Sequence, residues 1–181
     1  MQITIRNARL AFPNLFEAKS VNGGEPTFGA SFIIPKDHPQ VAEIEAAIVD
    51  AAKTKWGAKA TDILKVLRMQ DRVCLHDGDT KTQYDGFEGM LFVSANSKTR
   101  PLCADRDKSI LSAADGVLYA GAFVYATVEI WAMDHSQFGK RVNAQVKTVQ
   151  FFRDGDAFSG GRPGTVEDLV DLEEGADSDL A

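Results

Sequence analysis

Residues 121–152 read GAFVYATVEIWAMDHSQFGKRVNAQVKTVQFF, and their alternation decides the fold. In the first half Ala122, Val124, Ala126, Val128 and Ile130 fall on one side, leaving Tyr125, Thr127, Glu129 and Trp131 opposite. In the second half Val142, Ala144 and Val146 share a side, against Arg141, Asn143, Gln145 and Lys147. A period of two sustained this long marks strands with one face in a core and one in water. Strands are therefore predicted near 121–133 and 141–152. A third run near 87–97 puts Leu91, Val93 and Ala95 inside. Met90, Phe92, Ser94 and Asn96 then lie outside, followed by Lys98 and Arg100 if the strand continues.

Upstream, β-like segments at about 2–12 and 27–35 flank a Gly-Gly connection, the second ending at Pro35. Asp37-His38-Pro39 then reads as a helix start, with Asp37 as cap and Pro39 in the first turn. Val41, Ile44, Ile48 and Ala52 follow at helical spacing as far as Trp56, where Gly57 ends the helix. A shorter helix fits 60–69, with Ile63, Leu64 and Leu67 facing inward. Stretches 74–86 and 98–120 read as long loops, functional arms or poorly ordered. Few strands, inserted helices and no βαβ rhythm favour a small closed or partly open barrel, mainly β within an α+β chain, over a doubly wound sheet.

The net charge of −6 is unevenly placed. Seven carboxylates, Glu167, Asp168, Asp171, Glu173, Glu174, Asp177 and Asp179, lie after Thr165 with no Lys or Arg among them. Residues 1–164, the expected folded domain, hold all 20 basic residues against 19 acidic ones. The acidity belongs to a tail, 165–181, whose composition predicts disorder. The first residues read as a strand and not as a signal peptide, and no apolar run is long enough to span a bilayer. Cys74 and Cys103 are too few for a disulfide framework. A cytoplasmic chain with reduced thiols is expected, without membrane partners or a cofactor.

The wet faces of the three strands carry rings beside cations. A base stacks on an aromatic face, and its phosphates need Lys or Arg at intervals. Phe92 and Tyr125 are candidate stacking rings, the alternative for each being cross-strand packing. Trp131 leans to packing, because Glu129 lies two residues away. Tyr84, in the Gln83-Tyr84-Asp85-Gly86 loop, is either a mobile stacking arm or an ordinary exposed tyrosine. Lys98, Arg100, Lys140, Arg141 and Lys147 are candidate phosphate contacts, with Arg106 and Lys108 from a loop and Asn96 and Asn143 as polar contacts. A single bulge would exchange the faces.

Enzyme signatures are weak. His76-Asp77-Gly78-Asp79 and Asp105-Arg106-Asp107 offer carboxylates that a metal-dependent nuclease could use, but the first reads more simply as a hairpin-like turn. No zinc spacing, phosphate loop or nucleophile elbow is present, so no metal site is expected. A virion structural or assembly protein is the other alternative.

Several segments form one ordered set: Ser97-Lys98-Thr99-Arg100-Pro101, then Gly116-Val117-Leu118-Tyr119-Ala120-Gly121, then Gly139-Lys140-Arg141-Val142-Asn143-Ala144. Val149-Gln150-Phe151-Phe152-Arg153-Asp154-Gly155 with Gly160-Gly161 completes it. This order resembles the phage single-stranded DNA-binding family first catalogued as a domain of unknown function. That family is similar in fold to the acidic-tailed replication protein of the T-odd coliphages. The likeness runs from Asn7-Ala8-Arg9-Leu10 onward. It implies an OB-fold variant, an antiparallel barrel that grips single-stranded DNA by stacking and charge, and a regulatory tail. Expected partners are single-stranded DNA, replication proteins such as a polymerase or helicase reached by the tail, and a second copy as a homodimer. The chain ends Asp179-Leu180-Ala181 and lacks the terminal aromatic of some acidic-tailed relatives.

Overall fold

The first strand, β1 (Gln2–Lys19), is longer than its apolar pattern predicts because it bends twice and serves two neighbours. Its first half pairs antiparallel with β6 (Phe123–His135), its second half with β2 (Thr27–Pro35). Register shifts fall between Ile5 and Ala8 and between Ala11 and Asn14. Left-handed residues sit at both, Asn7 at φ 54° and Phe12 at φ 48°. Bulges of this kind increase local twist and let one strand turn a barrel corner. The computed structural model describes residues 1–20, 23–158 and 169–170.

The remaining elements are α1 (Val41–Trp56), α2 (Ala60–Met69), β3 (Leu75–Asp77), β4 (Met90–Ser97), β5 (Leu102–Ala104) and β7 (Gly139–Arg153). The described strands form one sheet in the order β3-β4-β2-β1-β6-β7-β5, and a further β4–β7 pairing closes five of them into an OB-like barrel. That closing pair is parallel, as is β5 on β7, so the expected antiparallel barrel is a mixed one. Ile5, Leu10, Phe32, Ile34, Val93 and Ile130 fill it, with at most 1% exposure each. Ile44, Ile48 and Ala52 of α1 and Leu64 and Leu67 of α2 join the same core, α1 lying against β6.

Asp37 does not cap α1. Residues 35–38 make a turn of their own, closed by His38 N–H donating to Pro35 O at 3.0 Å, so Pro39 precedes the helix. Gln40 occupies the cap position and is buried. Its amide donates to Thr4 O (2.8 Å) and accepts from Arg6 N–H (2.7 Å), which ties the helix to the first bulge of β1. The long stretches expected as loops each contain a three-residue strand, β3 and β5. The second is also pinned by Tyr119, whose hydroxyl donates toward Asp154 (2.8 Å). Among the described residues no helix is long and apolar enough to cross a membrane.

Candidate nucleic-acid interface

The barrel closes over a short seam. β4 and β7 pair only at Ala95↔Ala144 and Asn96↔Gln145. Before that point they part, and residues 72–75 fill the gap. Val142 N–H donates to Arg72 O (3.1 Å), Ser94 N–H donates to Cys74 O (3.0 Å), and Leu75 and His76 pair with Val93 and Phe92. A groove of about 550 Å³ lies over this seam.

The groove takes Ser94, Asn96 and Lys98 from the β4 side and Arg141, Asn143 and Gln145 from β7. Trp131 of β6, directly opposite Asn143, supplies a ring that is 42% exposed. Among the described residues the lining holds two cations, three side-chain amides and an indole, and no carboxylate. Glu129, the residue that weighed against Trp131, lies 3.0 Å from the N-terminal ammonium, so its charge is locally balanced. Asn96 finds space because its cross-strand partner is Gly29. A Cβ there would stand 2.7 Å from Ala95 O and closer still to the Asn96 side chain. His76 closes one wall, its Nδ1 2.6 Å from Asp71 and its ring stacked on Phe92. Beneath it Cys74 is buried, and burial pushes its thiol up to about 12.

The structure brings Asn96, Lys98, Arg141 and Asn143 of the expected set together. Lys98 is engaged at 3.2 Å by Glu25, both side chains being well exposed. Phe92 requires correction. It is only 6% exposed, packed with Phe87, Ala11 and Ile33 under the 78–89 loop, so its ring has no free face for a base. The alternation was right for the strand, but a loop covers this part of its outer face.

Tyr125 lies farther along the Trp131 face of β6, six residues or roughly 20 Å away at ordinary strand rise. Its ring meets Phe152 at 5.0 Å, and the Arg106 guanidinium sits 5.6 Å from the Phe152 ring. Gln150 holds that loop by donating to the carbonyls of Asp105 and Arg106. Lys147 is exposed nearby, where the β6–β7 register slips between Thr127 and Val128. Lys108 is exposed in the same loop as Arg106, at φ 70°.

Other expected contacts lie elsewhere. Arg100 donates to Phe16 O at 2.8 Å and faces the Phe28 ring. Lys140 pairs with Asp134 at 3.6 Å near the hairpin tip. Tyr84 packs edge-on against Phe12 at 4.9 Å in a separate cavity of about 190 Å³ that Phe158 also lines. The tail carboxylates Glu167, Asp168, Asp171, Glu173, Glu174, Asp177 and Asp179 fall outside the described residues.

The carboxylates weighed for a metal are structural ties. Residues 75–81 form β3 and a 3-10 turn instead of the expected hairpin-like turn, with Asp77 accepting from Asp79 N–H. Asp79 binds Lys36 at 2.7 Å and accepts from Gly89 N–H, which holds its carboxyl below the usual range. Asp105 and Asp107 accept from backbone amides of their own loop. Sequence reading had placed Ser94 and Gln145 on the wet face without assigning them a role. It missed Thr27, at the start of β2, and His76, which reaches the groove only because residues 72–75 cross the seam.

Known proteins resemble the chain in sequence and in fold. The family model described as "Enterobacter phage Enc34, ssDNA-binding protein" matches residues 1–180. The putative protein p50 of Acyrthosiphon pisum secondary endosymbiont phage 1 is 45% identical over 186 residues, covering 99% of this chain and 98% of that protein. Among solved structures, the single-stranded DNA-binding protein from bacteriophage Enc34 in complex with ssDNA superposes with a TM-score of 0.72. It is 24% identical, over 86% of this chain and 88% of that one. The single-stranded DNA-binding protein gp2.5 of bacteriophage T7 shares the fold, with a TM-score of 0.57 at 9% identity over 93% and 92% of the two chains. With a match to all but its last residue, the chain belongs to the family of the single-stranded DNA-binding protein of phage Enc34.

Proposed function

We propose that this member of a phage single-stranded DNA-binding family lays the strand, without regard to sequence, in the groove over the β4–β7 seam. The carrying observation is a groove whose described lining residues join an exposed indole to two cations and include no carboxylate, on a chain whose net charge is −6. Trp131 offers a π-face that any base can use. Arg141 and Lys98 meet phosphates, Lys98 exchanging an exposed and therefore weak pair with Glu25 for the nucleic acid. Asn96, Asn143 and Gln145 both donate and accept, so they tolerate every base edge. From Trp131 the strand follows the outer face of β6 toward Tyr125, where Arg106 and Lys147 continue the cationic track.

The protein acts by binding and not by catalysis, covering intermediates of phage DNA replication and recombination. The acidic tail competes with phosphates for the groove and reaches basic replication proteins such as a polymerase or helicase. Anisotropy titration of labelled oligo-dT across a salt series, with full-length protein and a 1–164 truncation, tests this. The expected affinity falls log-linearly with salt, by a slope of about −0.7 per phosphate contacted, and rises on truncation. Absence of binding by either form at low salt overturns the reading. Equal low-salt affinity of the two forms overturns the tail's part in it.

A further inference from the structure

His76 lines two cavities at once, the groove over the seam and a second hollow of about 390 Å³ that Asp71 also lines. Its place follows from the strand pairing. Phe92, Ser94 and Asn96 share one face of β4, and Ser94 and Asn96 line the groove. His76 is the cross-strand partner of Phe92 and stacks on its ring at 4.9 Å, so the imidazole stands at the end of that row.

The two ring nitrogens have different surroundings. Nδ1 lies 2.6 Å from the Asp71 carboxylate. An ionised carboxylate only accepts, so the proton of this bond is on Nδ1. Nε2 has no hydrogen-bond partner among the described residues. No buried side-chain nitrogen among them is left without one, so Nε2 is open to solvent although the side chain is only 13% exposed. Asp71 itself sits at φ 56°, a left-handed backbone that Asp and Asn tolerate better than most residues. The turn holding it there is closed by Asp71 N–H donating to Arg68 O and Arg72 N–H donating to Leu67 O.

We propose that His76, oriented by Asp71, is a proton-dependent phosphate contact at the end of the DNA groove. The contact belongs to the groove assigned to DNA above and rests on that reading. With Nδ1 protonated, a neutral imidazole turns a lone pair outward at Nε2, which repels a phosphate oxygen. A second proton makes Nε2 a donor, and the imidazolium then forms a charge-assisted hydrogen bond to the phosphate. Binding the strand therefore takes up one proton from solution, and by linkage protonation tightens binding.

The charges around the ring fit this exchange. In the second hollow Asp71 is joined by Arg68 and Asp77, which are engaged elsewhere, Arg68 with Glu45 at 2.6 Å and Asp77 with Lys36 at 3.7 Å. On the groove side stand Lys98 and Arg141. Cys74 beneath stays a neutral thiol, its proton held up to about 12. An imidazolium here has one anion to meet in the free protein, Asp71, and a second when a phosphate lies between it and the groove cations.

The test is anisotropy of labelled oligo-dT with the full-length protein, in salt series at about pH 8 and about pH 6, a range in which imidazoles change charge. The expected wild-type affinity is about tenfold higher at the lower pH, and the salt slope there is steeper by about 0.7. His38 and His135 share the range, so variants assign the effect. His76→Gln reduces the gain to about twofold or less and removes the change in slope. Asp71→Asn suits the same backbone and still accepts from Nδ1–H, but lacks the charge that supports an imidazolium. A carboxylate that merely repelled DNA would, once neutralised, tighten binding equally at both pH values. The expected result is a gain between the two pH values at least about threefold smaller than in wild type. Proton NMR of the wild-type protein needs no variant to fold. His76 should hold its proton about tenfold more tightly when oligo-dT is present. Trp131→Ala, run alongside, reports on the groove. If it weakens binding while wild-type affinity ignores pH, His76→Gln keeps the full gain, or the His76 titration is unmoved by DNA, the proposal is overturned and the groove reading stands. Wild-type binding by both Trp131→Ala and Arg141→Gln overturns the groove reading and the proposal with it.

Discussion

Two rings near the seam separate a binding role from a packing role. Trp131 is 42% exposed over a groove, so its removal leaves the core untouched. Trp131→Ala should weaken oligo-dT binding by about 1–3 kcal/mol, roughly 5- to 150-fold, with little change in melting temperature. The indole also reports directly. Trp56 is the other tryptophan, bonded to Asp134, so in a Trp56→Phe background added DNA should quench the remaining emission. Phe92 is the opposite case, buried on Phe87 and stacked under His76. Phe92→Ala should cost about 3–5 kcal/mol of stability in urea titration. Its effect on the affinity of the protein that remains folded should be smaller than that of Trp131→Ala.

At the scale of strands and helices, the groove depends on how β2 and β4 meet. Gly29 faces Asn96 across this pair, and a side chain at 29 would meet Ala95 O at 2.7 Å. Gly29→Ala should destabilise by about 1–3 kcal/mol and reduce oligo-dT affinity as well, read from urea midpoints and anisotropy on the same preparation. The same elements show how much was legible beforehand. The strand at 27–35, the end of α1 at Trp56 and the span 60–69 of α2 follow from apolar spacing and from Gly57 and Pro35. The strands at 121–133 and 141–152 were visible because alternation runs from Ala122 to Ile130 and from Val142 to Val146, long enough to survive the slip at Lys147. β3 and β5 were not, since three residues carry no period. Phe92 was placed on the wrong side of solvent because the cover over it comes from the 78–89 loop. Of the site, Lys98, Arg141, Asn96 and Asn143 were legible as outward positions. The groove itself was not, because it exists only where residues 72–75 cross between β4 and β7.

For the whole molecule, the buried thiols set an alkaline limit. Burial pushes Cys74 up to about 12 and Cys103 up to about 11, against about 8.5 for a thiol in an unfolded chain. Above about pH 9 the unfolded chain releases these protons while the folded one keeps them, so rising pH favours unfolding. Stability should fall between pH 9 and 11 by up to ~1.4 kcal/mol per pH unit for each thiol, measured by urea melts in a pH series. A Cys74→Ala variant should show a shallower fall. The path of β1 has a consequence of a different kind. Its leading half pairs with β6, Gln2 lying opposite Glu129. At a synthesis rate of 5–20 residues per second, the ribosome needs about 6–25 s after the first strand is made before its partner exists. For that time the nascent chain carries an open strand edge, the usual template for aggregation. Production yield should therefore respond to translation speed and growth temperature even where the finished barrel is unchanged.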